Sequence, residues 1–199
     1  MSRPDQGSWA MLKRLDRYLL KRPRVTIYYK YQRGRDVVTV WIDTDFAGCK
    51  ETRRSTIGGV MKLGNHTIKT WSKTQAVIAL SSGEAEYYGL VKGGGEASGA
   101  KNMLGDLVVS GNVELKTDAS AAKGIANIRG MGQIRHIEVQ QLWLQEKVAQ
   151  GEIIVQKVDG EDNQSDALTK PVDGARVDRH IADTCQEVKS GSHSVTLLH

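Results

Sequence analysis

A glycine–asparagine turn between two short apolar runs is the feature that most restricts how this chain folds. Gly64 and Asn65 form a turn dipeptide, and the residues on both sides, 58–63 and 66–71, have the composition of β-strands. Two such runs joined by a short turn predict a β-hairpin. The apolar run 37–42 precedes the hairpin and predicts another strand. We therefore expect three antiparallel strands in a row.

A helix-capping signal follows the hairpin. Ser81 and Glu84 stand at the start of a long segment of helical period, with the spacing of a capping box, in which each side chain satisfies a backbone N–H group. Glu86 lies two positions further on and points to a different side of the helix. The three glycines 93–95 should weaken this helix by about 1 kcal/mol each relative to alanine. They predict a kink or a close contact at that point.

The rest of the main domain alternates between strands and helices. The predicted elements are, in order, a strand at 113–117, a short helix at 120–126, a helix at 134–149 that ends before Gly151, a strand at 153–155 and a last helix that contains Asp166.

The two ends of the chain have weaker patterns. An amphipathic helix is predicted at 8–22, where Pro23 ends it, and a β-rich run follows at 25–31. Beyond Pro171 the periodicity fades. We therefore expect three parts, namely a leader at 1–34, a main α/β domain at 35–171 and a loose tail at 172–199.

Four acidic residues occur in four separately patterned segments. They are Asp43 at the end of the first predicted strand of the main domain, Glu86 in the long helix, Asp118 at the end of a later strand, and Asp166 in the last helix. Carboxylate oxygens suit hard cations such as Mg²⁺ and Mn²⁺. If the four converge, only divalent metal can neutralise them, and a pair of such ions assists phosphodiester cleavage. The acids therefore indicate a nuclease.

Composition limits the class of protein. The 199 residues are 39% hydrophobic and 26% charged, which fits one domain with an appendage. Cys49 and Cys185 lack the spacing of a zinc site or a disulfide framework. No apolar run approaches the roughly 18 residues of a membrane span, and no secretory signal is present. The net charge of +5 favours polyanions. We expect an intracellular protein with no membrane partner.

Six short motifs carry a family resemblance. They are DTDFAGC at 43–49, TRRST at 52–56, WSKTQ at 71–75, ALSSGEAEY at 79–87, RHI at 135–137 and DALTKP at 166–171. In this order and combination they resemble the ribonuclease H domain of copia-type LTR retrotransposon Pol polyproteins. The match covers residues 9–171, and its opening helix and strand resemble the segment that connects reverse transcriptase to ribonuclease H.

The resemblance implies a fold, an activity and partners. The implied fold is a ribonuclease H-like mixed five-stranded sheet, with its first three strands antiparallel, flanked by helices. The implied activity is two-metal-ion endonucleolytic cleavage of the RNA strand of RNA–DNA hybrids, with 5′-phosphate products. Two Mg²⁺ ions per site are implied, with Mn²⁺ as a substitute. The implied partners are the hybrid and the reverse transcriptase domain of the parent polyprotein, in a cytoplasmic particle or the nucleus.

The resemblance also assigns residues. The family's catalytic and metal-binding acids correspond to Asp43, Glu86, Asp118 and Asp166. The basic side chains Arg53, Arg54 and Lys73 are candidates for contacts with the backbone of the hybrid, although a solvated surface role is also open for each.

Two departures from the family pattern concern the predicted site. Residues 155–166 lack the histidine that cellular ribonucleases H often carry before the last acid, which concerns turnover more than reaction type. Ala119 follows Asp118 where the family commonly has asparagine. Asp45 shares strand parity with Asp43 and is an alternative ligand. For His136, a capping role, a phosphate contact and metal ligation are all open.

Two other functions remain open at this stage. A catalytically silent remnant would bind hybrids without cutting them, although the four retained acids argue against decay. Another nuclease with the ribonuclease H fold would use the same site on a different substrate, because fold does not fix function.

Overall fold

A five-stranded mixed sheet forms the centre of the protein, whose computed structural model describes residues 5–33, 36–129 and 142–191. The elements are, in chain order, α1 Gln6–Lys21, β1 Arg24–Ile27, β2 Val37–Asp45, β3 Thr56–Leu63, β4 His66–Thr74, α2 Ser82–Asp106, β5 Asn112–Thr117, α3 Ser120–Asn127, α4 Trp143–Ala149, β6 Ile153–Lys157, the 3₁₀ turns Gly160–Asp162 and Asp166–Leu168, α5 Gly174–Asp183 and β7 Gln186–Lys189.

The strand order confirms the predicted fold class. The central sheet runs β4-β3-β2-β5-β6. Strands β2, β3 and β4 are antiparallel neighbours, whereas β5 is parallel to both β2 and β6. Gly64, with a φ of 58°, lies in the turn that joins β3 to β4, where a left-handed conformation favours glycine. The three antiparallel strands predicted from the hairpin signal are therefore present, on a ribonuclease H-like sheet.

Helix α2 packs on β2 at positions where only glycine leaves room. A Cβ atom at Gly89 would lie 2.6 Å from Thr44 Oγ1, and one at Gly93 would lie 1.8 Å from Ile42 Cδ1. The helix continues through all three glycines for 25 residues. The close contact predicted for the glycine triplet is therefore observed.

The capping of α2 follows the predicted box only in part. Ser81 Oγ accepts a hydrogen bond from the Glu84 backbone N–H (3.1 Å), as predicted. The Glu84 carboxylate accepts from the Leu80 backbone N–H (2.8 Å) and from the Tyr88 hydroxyl (2.7 Å). Glu84 is almost fully buried and holds the start of the helix.

The apolar core lies between the sheet and the layer formed by α2, α3 and α4. Fully buried side chains from both layers fill it, namely Val38, Val40, Ile42, Leu115, Tyr87, Leu90 and Leu144. Burying a side chain of this size stabilises a fold by about 1.5–3 kcal/mol. This core fixes α2 over β2 and β5, the two strands that end at the predicted acids.

The segment that carries Asp166 differs from the prediction. Asp166–Leu168 is a single 3₁₀ turn that packs against β2 and β3, rather than part of a last α-helix. Pro171 follows three residues after this turn, and a proline both lacks an N–H group and disfavours helical geometry in the residue before it. The next α-helix, α5, begins only at Gly174.

The prediction of a loose tail after Pro171 is wrong for the part that the structure describes. Strand β7 pairs antiparallel with β1 of the leader in a second, two-stranded sheet. The side chain of Arg22 forms an ion pair with Asp178 of α5, and Lys62 Nζ donates to the Asp183 carbonyl. These contacts join residues far apart in sequence, so the local periodicity of the sequence does not predict them. The proposed boundaries at 34 and 171 remain predictions.

The leader begins with a helix that has no buried residue. Helix α1 confirms the predicted helix, and its apolar side chains are exposed, among them Trp9, Met11, Leu15 and Leu20. The following strand, β1, is shorter than the predicted run because its partner β7 supplies only four residues. Within the described residues, no helix is both long enough and apolar enough to cross a membrane.

The helix predicted at 134–149 is described only at its end. Helix α4, Trp143–Ala149, matches that end, and Gly151 follows it with a φ of 74°. Arg135 and His136 lie outside the described residues. The short helix α3 and the strands β5 and β6 agree with their predictions within three residues.

The glycine contacts of α2 generate a matched test. We expect Gly93→Ala to lower the free energy of unfolding by about 1–3 kcal/mol, because the new methyl group overlaps the fully buried Ile42 side chain. At Gly95 a Cβ atom would meet no described atom within 4 Å, so Gly95→Ala should stabilise by up to about 1 kcal/mol. Urea unfolding of both variants measures this. Equal effects would show that α2 does not need glycine at 93.

Candidate active site

Parallel pairing brings two of the predicted acids to the same edge of the sheet. Trp41 of β2 is in register with Lys116 of β5. Asp43 and Asp118 each lie two residues further along, so they reach equivalent positions at the ends of neighbouring strands. The side chain of Asp43 is only 6% exposed.

Helix α2 adds the third acid. Gly89 contacts Thr44 near the end of β2, and Glu86 lies almost one helical turn earlier, above the strand ends. One carboxylate oxygen from each of Asp43, Glu86 and Asp118 lies within 4.8 Å of the other two. We call these three residues the acid triad.

The segment after β6 supports Asp43 from the other side. The side chain of Asn163 donates to the Ile42 carbonyl (2.9 Å), and the Thr169 hydroxyl donates to Asp43 Oδ2. Gly58, which pairs with Asp43 on β3, allows this approach, since a Cβ atom there would lie 2.8 Å from Thr169 Cγ2 and 2.9 Å from the Ser165 carbonyl. The orientation of Asp43 is therefore fixed by hydrogen bonding.

Burial and mutual repulsion alter the acidity of the triad. Burial raises the pKa of Glu86 to about 8, and the charges of Asp43 and Asp118 add to this effect. Burial also raises the pKa of Asp43, while the hydrogen bond from Thr169 opposes the rise. Near neutral pH without metal, Glu86 therefore retains its proton in a large fraction of molecules.

The triad has the properties of a divalent-cation site. Its three side chains offer hard oxygen ligands, which Mg²⁺ and Mn²⁺ prefer. Glu86 Oε2 is buried and has no hydrogen-bond partner among the described residues. A buried oxygen without a partner is unfavourable, so a ligand that supplies positive charge to it fits this position.

Asp166, the fourth predicted acid, lies near the triad but is not part of it. Its charge contributes to raising the pKa of Asp43, after burial and Asp118. One of its oxygens forms an ion pair with Lys170, and the other lies 2.9 Å from Arg176 Nη1. The structure thus brings together three of the four acids and engages the fourth with basic side chains.

Asp45, the alternative ligand, lies outside the triad. Its carboxylate accepts a hydrogen bond from the Thr56 backbone N–H. A Cβ atom at Gly48 would lie 1.8 Å from Asp45 Oδ2, so the carboxylate also fills the space inside the turn that follows β2. These contacts give Asp45 a structural role in joining β2 to β3.

The three basic candidates lie at the same end of the sheet as the triad. Arg53 and Arg54 directly precede β3, and Lys73 is near the end of β4, in register with Ile57. All three are exposed, and none forms an ion pair with a described residue. They are therefore available to a polyanion that approaches this end of the sheet.

Three residues that contact the acids were not predicted to do so from the sequence. Thr169 and Lys170 belong to a recognised motif, but nothing in their spacing indicates their contacts with Asp43 and Asp166. Arg176 falls in the predicted tail. Its contact with Asp166 depends on the segment without regular structure, 171–173, that leads into α5.

This chain is similar in sequence to proteins of known type. No protein-family model matches the chain. The retrovirus-related Pol polyprotein from transposon RE2 of Arabidopsis thaliana is 30% identical over 176 residues, which is 86% of this chain and 12% of that protein. The corresponding polyprotein from transposon TNT 1-94 of Nicotiana tabacum is 27% identical over 98% of this chain and 14% of that protein. The chain is homologous to the Pol polyproteins of copia-type retrotransposons. It spans about an eighth of the length of these relatives.

Solved structures of ribonucleases H are also similar to this chain. LC11-RNase H1, in a complex with an RNA/DNA hybrid, is 18% identical, with a TM-score of 0.43, over 66% of this chain and 93% of that one. RNase H1 from Halobacterium salinarum is 15% identical, with a TM-score of 0.45, over 72% of this chain and 98% of that one. The fold assignment for this chain is based on its own strand order.

The raised pKa of Glu86 generates a prediction about the stability of the folded protein. The folded state keeps the Glu86 proton up to pH of about 8, whereas the unfolded state loses it near the ordinary value of 4.5. The folded state therefore binds more protons between these values, and metal-free stability should fall as pH rises through this range.

We expect Glu86→Gln to remove this pH dependence. In chelator at pH 8 the variant should unfold several degrees above the wild type, with a smaller difference near pH 5. Thermal unfolding followed by circular dichroism measures it, and the exposed Glu51→Gln is the control. A wild-type curve that is flat between pH 5 and 8 would contradict the prediction.

Proposed function

We propose that this chain is a metal-dependent endoribonuclease that cleaves the RNA strand of RNA–DNA hybrids and leaves 5′-phosphate ends. The ribonuclease H-like fold and the homology to Pol polyproteins support a ribonuclease H-type hydrolase. The observation that carries the proposal is the acid triad, with its unpartnered Glu86 oxygen, at the strand ends of this fold.

In this proposal Asp43, Glu86 and Asp118, with Asp166 beside them, hold two divalent cations, Mg²⁺ or Mn²⁺. When bound, such ions act as Lewis acids and lower the pKa of bound water, which supplies a nucleophile without a nucleophilic side chain. The protein contributes a fixed geometry. The hydrogen bond from Thr169 holds Asp43, and the packing of α2 on β2 holds Glu86 beside it.

The proposed substrate is a hybrid because two observations favour it. The relatives are retrovirus-related Pol polyproteins, and reverse transcription generates RNA–DNA hybrids. The exposed basic side chains of Arg53, Arg54 and Lys73 lie at the end of the sheet that carries the triad, where they can contact the phosphate backbone of a bound duplex. A hybrid presents 2′-hydroxyl groups on one strand only, which distinguishes it from both pure duplexes.

The reverse transcriptase domain of the parent polyprotein is the proposed protein partner. Helix α1 supports this, because an amphipathic helix with no buried residue has an apolar face that a neighbouring domain can cover. An intracellular location, in a cytoplasmic particle or the nucleus, follows from the same proposal.

A cleavage assay tests the function directly. With an end-labelled RNA strand in a hybrid, we expect cutting with Mg²⁺ or Mn²⁺, none with chelator, and none with duplex DNA or duplex RNA. Asp43→Asn should lower the rate at least 100-fold, because it removes a charged metal ligand. Glu84→Gln, on the same helix as Glu86, is the matched control. It should keep most activity, because the Glu84 carboxylate accepts a backbone hydrogen bond at the start of the helix.

Each alternative function has its own outcome in this assay. Binding of the hybrid without cleavage under any condition would identify a catalytically silent remnant. Metal-dependent cleavage of a pure duplex in preference to the hybrid would identify another nuclease of the same fold. Full activity in Asp43→Asn would reject the triad as the active site.

The basic surface generates a separate prediction about affinity. We expect the triple variant Arg53→Gln, Arg54→Gln, Lys73→Gln to bind the hybrid more weakly. The plot of log K against log salt has a negative slope, and its magnitude should decrease by about 2–3. Fluorescence anisotropy at several salt concentrations measures this. The control is a triple variant in which Lys92, Lys147 and Lys189 are replaced by glutamine, which removes the same total charge. These three lysines form ion pairs with acids on other parts of the surface. Equal losses in both variants would show that only net charge matters.

A further inference from the structure

The carboxylate of Asp166 is bound on both oxygens by basic side chains of its own chain. Oδ1 forms an ion pair with Lys170 Nζ, and Oδ2 lies 2.9 Å from Arg176 Nη1. The Asp166 side chain is 18% exposed, whereas those of Lys170 and Arg176 are 49% and 58% exposed. The acid is therefore enclosed, while both cations have a path to solvent.

The local backbone makes this arrangement specific. Lys170 follows Asp166 by four residues across the 3₁₀ turn, and Arg176 lies in the first turn of α5, whose start is fixed by a hydrogen bond from the Arg176 backbone N–H to Asp173 Oδ1 (2.9 Å). Thr169 accompanies them, because its hydroxyl lies 3.1 Å from the Asp166 carbonyl and also donates to Asp43. The ion pairs are thus built next to the triad.

Lys170 also acts on the triad itself. The hydrogen bond to Asp166 raises the pKa of Lys170, and the charge of Asp43 contributes to this rise. In turn, the Lys170 charge opposes the effect of burial on the pKa of Asp43 and of Glu86. A single ammonium group therefore lies close enough to interact with three of the four acids.

We propose that Lys170 and Arg176 are positioning residues that hold Asp166 in reserve, so that a divalent cation has to compete with their positive charges for this fourth carboxylate. The inference rests on the proposed metal site. Its physical basis is competition, because each oxygen already accepts a charge-assisted hydrogen bond, and a divalent cation that approaches it meets the positive charge of the ammonium or guanidinium group. The two cations thus lower the affinity for metal while they reduce repulsion in the metal-free protein.

Metal binding without substrate tests this by isothermal titration calorimetry of the metal-free chain with Mg²⁺ and Mn²⁺. We expect Lys170→Gln and Arg176→Gln each to bind metal about three- to tenfold more tightly than the wild type. Lys170→Arg should restore the wild-type affinity, since it keeps the charge. The control is Lys147→Gln, which removes an equal charge from a side chain that is 39% exposed and lies 2.8 Å from Glu152 on another part of the surface.

A second background separates competition for Asp166 from general repulsion. In Asp166→Asn, the gain from Lys170→Gln should fall below twofold, because the carboxylate that the lysine withholds is no longer charged. A gain of equal size in that background would overturn the inference. Affinities within twofold of the wild type for both single variants would overturn it as well.

The titration also distinguishes this inference from the proposed function. If Asp43→Asn abolishes metal binding while Lys170→Gln changes nothing, the metal site stands and the reserve role of Asp166 is wrong. If the wild type binds no metal, or if Asp43→Asn binds as well as the wild type, the proposed metal site fails together with this inference. Circular dichroism of each variant verifies that the fold is retained.

Discussion

The close packing of α2 on β2 is the contact on which the site depends. Gly89 and Gly93 bring the helix against Thr44 and Ile42 without an intervening side chain. The first turns of α2 thereby lie over the strand ends, and Glu86 is within reach of Asp43 and Asp118. A methyl group at either position would overlap Thr44 or Ile42, so a substitution there would push the helix that carries Glu86 away from the strand that carries Asp43.

The clustering of the three acids destabilises the metal-free protein, but the same clustering creates the proposed metal site. Three carboxylates close together, one of them with a pKa of about 8, oppose folding at neutral pH. The surrounding structure offsets part of that cost with the hydrogen bond from Thr169 and the charge of Lys170. The proposed metal site would attract cations to this edge of the sheet, and the exposed side chains of Arg53, Arg54 and Lys73 at the same end add positive charge that the proposed polyanionic substrate would meet.

Local signals made much of this structure predictable. The Gly64–Asn65 turn identified the hairpin, the Ser81 signal identified the start of α2, and strand ends identified the positions of Asp43 and Asp118. Long-range contacts were not predictable in the same way. The pairing of β1 with β7 depends on chain segments that meet only after folding. The ion pairs of Asp166 with Lys170 and Arg176 span only four and ten residues, but they form at a 3₁₀ turn and at the start of α5, where the sequence predicted a helix and a loose tail.

The pairing of the leader with the C-terminal segment limits how far the chain can be shortened without losing contacts. A shortened version that stopped at Pro171 would keep every recognised motif, yet it would remove β7 from β1 and Asp178 from Arg22. It would also remove Arg176 from Asp166. A fragment that is meant to keep these contacts therefore has to extend to Lys189, because the leader and the sheet edge both lose partners when the C-terminal segment is removed.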